Sequence, residues 1–206
     1  MRGKFITFEG SEGTGKSTQI SYLEAFLHDY GFQVLTTREP GGSPLGEKIR
    51  TLLLTEEMDA YAELLLMFAA RREHWVKTIN PALEKGIWVI SDRFTDSSYA
   101  YQGAGRGIPT PHIETLETLT LKGNPVDLTL WFDLPIEEGL NRAKARSQSD
   151  RFEEEALPFF IAVNQGFQTL ADEGKRPIIR VDASQTIATI AKTIQTTVSC
   201  YFSLDE

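Results

Sequence analysis

Residues 5–18 constrain the fold of this chain more than any other part of its sequence. Residues 5–8 are aromatic or β-branched, and residues 10–17 fit the pattern G-x-x-x-x-G-K-[ST] of a phosphate-binding loop. Such a loop needs glycines because backbone N–H groups can converge on phosphate oxygens only where no Cβ obstructs them. The segment therefore predicts a buried strand, then the loop, then a helix whose positive N-terminal end faces the same anion.

The loop supplies the predicted ligands of a nucleoside triphosphate. Lys16 brings a mobile positive charge to the β- and γ-phosphates, and the Ser17 hydroxyl is a predicted ligand of Mg²⁺. The predicted nucleotide-binding residues of the loop are Gly10, Ser11, Glu12, Gly13, Thr14, Gly15, Lys16, Ser17 and Thr18.

Apolar runs of strand length alternate with amphipathic segments along all 206 residues. The predicted strands are 4–9, 33–37, 87–91, 128–132 and 178–181. The predicted helices are 17–30, 45–54, 60–79, 111–121, 136–146, 153–172 and 186–201. This alternation favours a parallel sheet with helices on both faces. We therefore predict a three-layer α/β fold of the P-loop NTPase type, with a five-stranded parallel sheet, in a single domain spanning 1–206.

Charged side chains stand at the carboxyl ends of four predicted strands. They are Glu9, Arg38, the pair Asp92 and Arg93, and Asp133. In open α/β sheets ligands bind outside these strand ends. The sequence therefore predicts a charged ligand-binding cleft at this edge of the sheet.

The overall charge indicates a small-molecule enzyme rather than a nucleic-acid-binding protein. The formal net charge is −8 and the sequence pI is near 5.0, so local basic clusters must bind any polyanionic substrate. Cys200 is the only cysteine, which excludes a disulfide within the chain. The N-terminus has the pattern of a strand, and no apolar run has the length of a membrane span. We therefore predict a cytoplasmic protein that binds neither membrane nor nucleic acid.

The order of the motifs resembles that of the thymidylate kinases over nearly the whole chain. The shared elements are Phe-Glu-Gly at 8–10, Thr-Arg-Glu-Pro-Gly-Gly at 37–42, Asp-Arg-Phe at 92–94, Tyr-Gln-Gly at 101–103, Gly-Arg-Gly at 105–107 and Asp-Arg-Phe at 150–152. The resemblance implies the reaction ATP + dTMP → ADP + dTDP with Mg²⁺, a step toward dTTP. It also implies a homodimer.

Phosphoryl transfer between two anions needs cations between donor and acceptor. Arg93, at a strand end, can hold the acceptor phosphate in line, which is the role that the resemblance assigns to it. Asp92 is predicted to face Mg²⁺ or its waters. Arg38 resembles the other acceptor-phosphate arginine of the family, and Arg50 on the following helix is predicted to close the same site.

Two acidic residues are further candidates for the acceptor site. Glu9 ends the first strand and is predicted to reach the metal or the surroundings of the acceptor phosphate. An acid inside a phosphate loop is electrostatically costly, so Glu12 is expected to have a partner. The resemblance implies that Glu12 bonds the 3′-hydroxyl of the acceptor sugar.

The loop lacks a cation that some members of the family carry, because Gly13 occupies the position of their arginine. The segment 142–153 resembles the mobile lid of the bacterial class, which brings an arginine over the ATP phosphates. We favour Arg151 for the transferred phosphate. Arg142 and Arg146 lie four residues apart on one helix face and are predicted to bind ATP, although any of the three arginines could contact that phosphate.

Base recognition is predicted on two helical segments. Helical phase leaves Arg71 and Arg72 as alternatives, and the family pattern of Phe followed four residues later by Arg selects Phe68 and Arg72. Ser98 and Gln102 are also four residues apart and can meet the base edge, while Tyr101 can crowd the sugar 2′ position. These residues complete the predicted dTMP site, which comprises Glu9, Glu12, Arg38, Arg50, Phe68, Arg72, Arg93, Ser98, Tyr101 and Gln102.

Two other kinds of protein fit part of the pattern. A deoxynucleoside kinase of the same build would phosphorylate a neutral hydroxyl and would not need acceptor-phosphate arginines. A nucleotide-dependent switch or motor would need a water-positioning residue, and none is legible. Three scattered histidines have no metal-ligand spacing and are interpreted as structural or surface residues: His28, His74 and His112.

Overall fold

A parallel sheet of five strands forms the middle layer of the protein. The computed structural model describes residues 2–123, 125–144, 151–152 and 154–205. The strands are β1 (Phe5–Glu9), β2 (Val34–Arg38), β3 (Trp88–Asp92), β4 (Leu128–Asp133) and β5 (Ile178–Asp182). Their order across the sheet is β2-β3-β1-β4-β5, and every pairing is parallel. The predicted five-stranded parallel sheet is therefore confirmed.

The described residues contain nine α-helices. They are α1 (Lys16–Asp29), α2 (Pro44–Thr55), α3 (Ala60–His74), α4 (Asn80–Glu84), α5 (Thr95–Ser98), α6 (Thr110–Leu121), α7 (Ile136–Lys144), α8 (Leu157–Asp172) and α9 (Ile187–Phe202). Side-chain caps fix the starts of α2, α3 and α9, where Ser43, Asp59 and Thr186 accept backbone N–H groups of the first turn. Within that part of the chain, no helix is long and apolar enough to cross a membrane.

The two faces of the central strand feed separate hydrophobic clusters. Ile6 and Phe8 pack with α1 and α9, whereas Phe5 packs with residues from α4, β3 and α6 on the opposite face. All five residues of β1 are buried, including the polar Thr7 and Glu9. Burial on both sides is typical of a central strand in a three-layer fold, and it brings the loop after β1 to the middle of the sheet edge.

Two π-helical segments interrupt the predicted pattern. Trp75–Ile79 breaks the helix predicted over 60–79, and Tyr99–Gly105 occupies the segment that the sequence left mixed. Such segments occur often at functional sites, and apolar periodicity does not distinguish them from α-helix. The end of the predicted helix 136–146 and the start of 153–172 fall on residues 145–150 and 153, outside the described residues.

Candidate active site

The loop after β1 has the backbone of an anion-binding site. Gly10 and Gly15 adopt φ values of 137° and 88°, which L side chains rarely adopt. A Cβ on Gly10 would also come 2.6 Å from the carbonyl oxygen of Phe132. Helix α1 begins at Lys16 without a side-chain cap from Gly15. The first N–H groups of α1 are therefore available to an anion bound in the loop.

The Lys16 ammonium lies over this loop. Its Nζ donates to the carbonyl oxygens of Gly10 and Ser11, at 3.2 and 2.9 Å, and to Thr14 Oγ1 at 3.4 Å. Burial lowers the pKa of Lys16, and the positive charge of Arg93 lowers it further. An ammonium in such surroundings gains from the approach of an anion.

Arg93 is held firmly just beyond the end of β3. It adopts a left-handed φ of 71°, and its Nη1 donates to Gly10 O at 2.7 Å and to Ser97 Oγ at 3.3 Å. Its Nη2 forms an ion pair with Glu12, and the guanidinium lies 4.9 Å from the centre of the Tyr101 ring. Burial opposes the charge, but Glu12, Tyr101, Asp92 and Glu9 together outweigh it and raise the pKa of Arg93 above its ordinary value.

Glu12 and the ring of Tyr101 both contact the Arg93 guanidinium. The Tyr101 hydroxyl donates to Glu12 Oε1 at 3.3 Å. Although burial favours the neutral acid, Arg93 and Lys16 hold the pKa of Glu12 below its ordinary value. The loop acid Glu12 is expected to have a partner, and that partner is Arg93. Glu12 is therefore an anion at neutral pH.

Ser17 and Asp92 bring two oxygen ligands together beside the loop. The Ser17 hydroxyl donates to Asp92 Oδ2 at 3.5 Å. The other carboxylate oxygen, Oδ1, is buried and has no hydrogen-bond partner among the described residues. An orphaned carboxylate oxygen next to a hydroxyl fits a hard divalent cation that takes its remaining ligands from water and phosphate. In the described part of the chain, no group of three or more His, Cys, Asp or Glu side chains could hold a metal by itself.

Two arginines from the β2–α2 region enter the cleft from the opposite side. Arg38 Nη2 pairs with Glu47 Oε2 at 2.8 Å, and Glu47 also accepts the N–H of Gly42 at 2.8 Å. Arg50 Nη1 donates to Pro40 O at 2.9 Å. Both arginines line the same cleft as Lys16.

Arg71 on α3 is the centre of a buried polar network. Its side chain is only 2% exposed, and its three nitrogens donate to Glu39 Oε2 at 2.7 Å, Ser98 Oγ at 2.9 Å and Phe94 O at 3.0 Å. The other Glu39 oxygen contacts His74 Nδ1 at 3.0 Å. Arg71 therefore presents a fully supported guanidinium at the wall of the cleft.

Glu63 connects the far wall of the cleft with the segment at 151. It is 1% exposed and accepts from Gln102 Nε2 at 2.8 Å, Arg106 Nη2 at 3.2 Å and Arg151 Nη2 at 2.7 Å. Arg151 Nε also donates to Leu53 O at 3.0 Å. In this structure Arg151 is thus bound to α2 and α3.

Most predicted site residues meet in one cleft. Those that line it are Glu12, Gly13, Thr14, Gly15, Lys16, Ser17, Arg38, Arg50, Asp92, Arg93, Ser98, Tyr101 and Gln102. The cleft combines a phosphate loop with arginines from three other segments, at the carboxyl edge of a parallel sheet.

A model of one protein family matches nearly the whole chain. The matching family is described as thymidylate kinase, and the match covers residues 8–194. The chain belongs to the thymidylate kinase family. It is 48% identical over 198 residues to a thymidylate kinase of Teredinibacter turnerae, with 95% of this chain and 97% of the relative covered. It is 50% identical over 197 residues to one of Pseudomonas putida, with 94% of each chain covered.

The likeness extends to a solved structure. The crystal structure of thymidylate kinase from Ehrlichia chaffeensis has a TM-score of 0.76 and 34% sequence identity, covering 96% of this chain and 99% of that one. The family therefore accounts for both the sequence order and the fold.

The predicted base-recognition pair, Phe68 and Arg72, does not line this thymidylate kinase cleft. Arg72 lies outside, where its Nη1 donates to Thr120 O at 2.7 Å on α6. Phe68 is 1% exposed and belongs to the core, and it supports Arg71 with its ring centre 4.7 Å from the guanidinium. The residues of α3 that line the cleft are Met67 and Arg71, also four apart. Adjacent helical positions point about 100° apart, so one step of register moves both side chains.

Glu9 does not line the cleft. Its buried carboxylate accepts from Phe94 N at 2.7 Å and from Ser97 Oγ at 2.6 Å. The structure therefore does not bring Glu9 into the cleft, because its carboxylate is bound to the turn after β3. The physical reason is that Glu9 still belongs to β1, a strand buried on both faces. Its side chain points to the face opposite that of Phe8, beneath the loop.

Other predicted nucleotide-binding residues lie at or beyond the margin of the cleft. Gly10 and Ser11 contribute carbonyl oxygens to Lys16, and Thr18 is not among the lining residues. Arg142 pairs with Glu138 one turn earlier on α7. The prediction for Arg146, like most of the predicted lid, lies outside the described residues.

Gly13 has a steric reason to differ from the family members with an arginine there. Its φ is 72°, and a Cβ would come 1.9 Å from the carbonyl oxygen of Gly139 on α7. A Cβ on Gly139 would in turn meet the Glu12 carbonyl at 2.6 Å. The loop and α7 are therefore packed backbone to backbone, and an arginine at 13 would require them to separate.

The lining or supporting residues that escaped the sequence analysis include Glu39, Leu54, Glu63, Met67 and Ser97. Glu39 belongs to the Thr-Arg-Glu-Pro-Gly-Gly element at 37–42, and this membership is the sequence signal that could have marked it. His74 supports Glu39, which agrees with its interpretation as structural.

Proposed function

We propose that this chain transfers the γ-phosphoryl group of ATP to the phosphate of dTMP. The observation that carries this proposal is the convergence of Arg38, Arg50 and Arg93 on the cleft that also contains Lys16. Two phosphorylated substrates repel each other, and cations from separate segments offset that repulsion. The family membership supports the same reaction.

The chain's own groups suffice to position the reacting atoms. An oxygen of the dTMP phosphate forms the new bond to the γ-phosphorus, and the bond to the β–γ bridging oxygen breaks, which leaves ADP. The attacking oxygen is already ionised, so no general base is needed. Lys16 and the loop N–H groups stabilise the negative charge of the donor, and Arg93 holds the acceptor in line.

Ser17 and Asp92 are the residues that we propose for Mg²⁺. When bound, the ion would neutralise charge on the β- and γ-phosphates. Two protein oxygens are enough because Mg²⁺ retains waters and takes phosphate ligands.

Arg71 and Ser98 are proposed to recognise the thymine edge, while Glu12 and Tyr101 meet the sugar. The guanidinium of Arg71 can donate a hydrogen bond to the carbonyl O4 of thymine. The amino group that cytosine carries in that place cannot accept this hydrogen bond. Tyr101 is buried against Arg93 and cannot easily move, so it can exclude a 2′-hydroxyl.

Acceptor specificity tests the proposed function directly. We expect transfer to dTMP and little transfer to thymidine, because a neutral nucleoside gains nothing from Arg38, Arg50 and Arg93. Coupled ADP release with each acceptor, at equal ATP, measures this. Faster turnover with thymidine would instead identify a nucleoside kinase, and ATP hydrolysis without an acceptor would favour a switch or motor.

Neighbouring arginines provide a matched pair for testing base recognition. Arg71→Ala should reduce the ratio of kcat/KM for dTMP over dCMP by about 10- to 100-fold, the scale of one charge-assisted hydrogen bond. Arg72→Ala should change the ratio by less than about twofold, because its contact with Thr120 is on the surface. Thermal unfolding of both variants checks that Arg71→Ala remains folded without its Glu39 pair. A preserved ratio in folded Arg71→Ala would remove Arg71 from recognition.

Arg151 remains our proposed cation for the transferred phosphate. Because Arg151 is paired with Glu63, it must exchange that partner to reach ATP. Arg151→Ala should therefore lower kcat by about 10²-fold while changing the KM for dTMP much less, since the contact forms mainly in the reacting complex. Steady-state kinetics measure the split, and Arg180→Ala is the comparison, because Arg180 pairs with Asp133 and is not among the residues that line the cleft. An unchanged kcat would pass the role to Arg142 or Arg146.

A second copy of the chain is proposed to cover an exposed apolar face on α3 and α6. The two helices are joined by a hydrogen bond of 2.8 Å between the Tyr61 hydroxyl and His112 Nδ1. Leu65 on α3 is 56% exposed and Leu119 on α6 is 74% exposed. Large exposed apolar side chains on neighbouring helices support an interface.

Cytoplasmic location and the lid over 142–153 remain predictions from the sequence.

A further inference from the structure

We propose that Glu9 is a positioning residue for Arg93, whose carboxylate fixes the turn that aims the guanidinium into the cleft. This inference rests on the proposed function, because it concerns the residue that holds the acceptor phosphate. Glu9 itself does not line the cleft and is 0% exposed.

The turn that Glu9 supports has an unusual backbone. Arg93 is a non-glycine residue with a φ of 71°, a region that bulky L residues seldom occupy without support from their surroundings. The next N–H group, that of Phe94, donates to Glu9 Oε1 at 2.7 Å. The Glu9 carboxylate therefore holds the backbone at Phe94, immediately after Arg93 with its unfavourable φ.

The second carboxylate oxygen reaches the Arg93 side chain through one intermediate. Ser97 Oγ donates to Glu9 Oε2 at 2.6 Å and accepts from Arg93 Nη1 at 3.3 Å. Both the backbone turn and the guanidinium are thus tied to the same buried acid. A Glu9 that served packing alone would not need either contact.

The electrostatic surroundings make Glu9 a costly residue at this position. Burial, followed by the negative charge of Asp96, raises the pKa of Glu9 to about 7. Arg93 and the hydrogen bonds from Ser97 and Phe94 act in the opposite direction. The other titratable groups that interact with it are Lys16 and Tyr101. Burying a carboxylate costs stability, and a positioning role gives a reason for a glutamate at this place in the central strand.

A double-mutant cycle tests whether Glu9 acts through Arg93. Glu9→Gln keeps the side-chain volume but replaces one acceptor oxygen with a donor amide, and should lower kcat/KM for dTMP by about 10-fold. In the Arg93→Ala background the same substitution should lower it by less than about twofold, since the group it positions is gone. Tyr99→Phe, which removes a buried hydroxyl bond of 2.6 Å to Glu117, is the comparison and should have the same effect in both backgrounds.

The cycle also defines the opposing result. If Glu9→Gln lowers kcat/KM by the same factor with and without Arg93, its effect is a general loosening of the protein and the proposal is overturned. A Glu9→Gln enzyme with wild-type kcat/KM would overturn it as well. Thermal unfolding of each variant in the cycle confirms that folded proteins are compared.

An NMR titration reads the contact without any substrate. The Phe94 amide of the wild-type protein should shift with pH with a midpoint near 7, as Glu9 ionises, and this shift should vanish in Glu9→Gln. An amide that is indifferent to both changes would contradict the contact. If the wild-type enzyme transferred no phosphate to dTMP, the proposed function would fail while this measurement still decided whether Glu9 holds the turn.

Discussion

Replacing Lys16 with alanine should lower kcat for phosphoryl transfer by about 10²- to 10³-fold, the loss expected when a positioned donor to the transition-state charge is removed. The ammonium already lies over the loop, within 3.2 Å of the Gly10 and Ser11 carbonyl oxygens. Burial and Arg93 lower its pKa, so a phosphate that enters the loop restores a favourable partner for the charge. Single-turnover kinetics at saturating ATP and dTMP measure the loss in the chemical step.

Lys16→Arg separates charge from geometry. It keeps the positive charge, but a planar guanidinium cannot easily occupy the position of a compact ammonium that bonds three loop oxygens. We expect it to remain strongly impaired. Circular dichroism and thermal unfolding should show both variants folded, because the hydrogen bonds described for the lysine ammonium all go to its own loop. Retention of more than about a tenth of the wild-type kcat by Lys16→Ala would remove it from the transition state.

The fold was predictable because its signals are local. Each strand is five or six residues long and rich in β-branched, aromatic or other apolar side chains, and alternation with helices leaves few arrangements besides a parallel sheet. Strand ends then converge by topology, which is why Arg38, Asp92 and Arg93 meet near the phosphate loop. Asp133 ends a strand too, but it pairs with Arg180 of β5 instead of entering the cleft.

The choice between adjacent residues was not predictable in this way. Arg71 and Arg72 have the same chemistry and differ by one helical step. What separates them is the buried acid Glu39, which is 32 residues away in sequence and bonds Arg71 at 2.7 Å. Ser98 and the Phe94 carbonyl complete that site from a third segment. Selection by such long-range partners is visible only once the chain has folded.

Glu9 and Gly13 illustrate the same limit. A strand-end carboxylate can point into the cleft or beneath it, and the turn from Arg93 to Ser97 decides the outcome by covering Glu9. The absence of an arginine at position 13 is visible in the sequence, but its cause is the close approach of Gly139 from α7. Neither contact leaves a periodic pattern.

Arg93→Ala should be the most damaging substitution on the acceptor side, lowering kcat/KM for dTMP by about 10³-fold or more. The guanidinium performs three tasks, since it bonds the loop at Gly10 O, bonds Ser97 Oγ and neutralises Glu12. Its removal would leave Glu12 with only Lys16 as a strong cation, so the pKa of Glu12 should rise. An acceptor dianion would then face an acid without its compensating charge.

The comparison with lysine distinguishes charge from geometry at this position. Arg93→Lys keeps one positive charge, but a single ammonium cannot span Gly10 O, Ser97 Oγ and Glu12 as a planar fork does. We expect it to recover dTMP binding, measured by calorimetry, more than kcat, because in-line orientation needs the fork. The affinity for ATP should change less than that for dTMP in both variants. If ATP affinity fell as far as dTMP affinity, Arg93 would be holding the loop together rather than the acceptor, and the acceptor-phosphate role would pass to Arg38 and Arg50, which reach the same cleft from α2 and the strand before it.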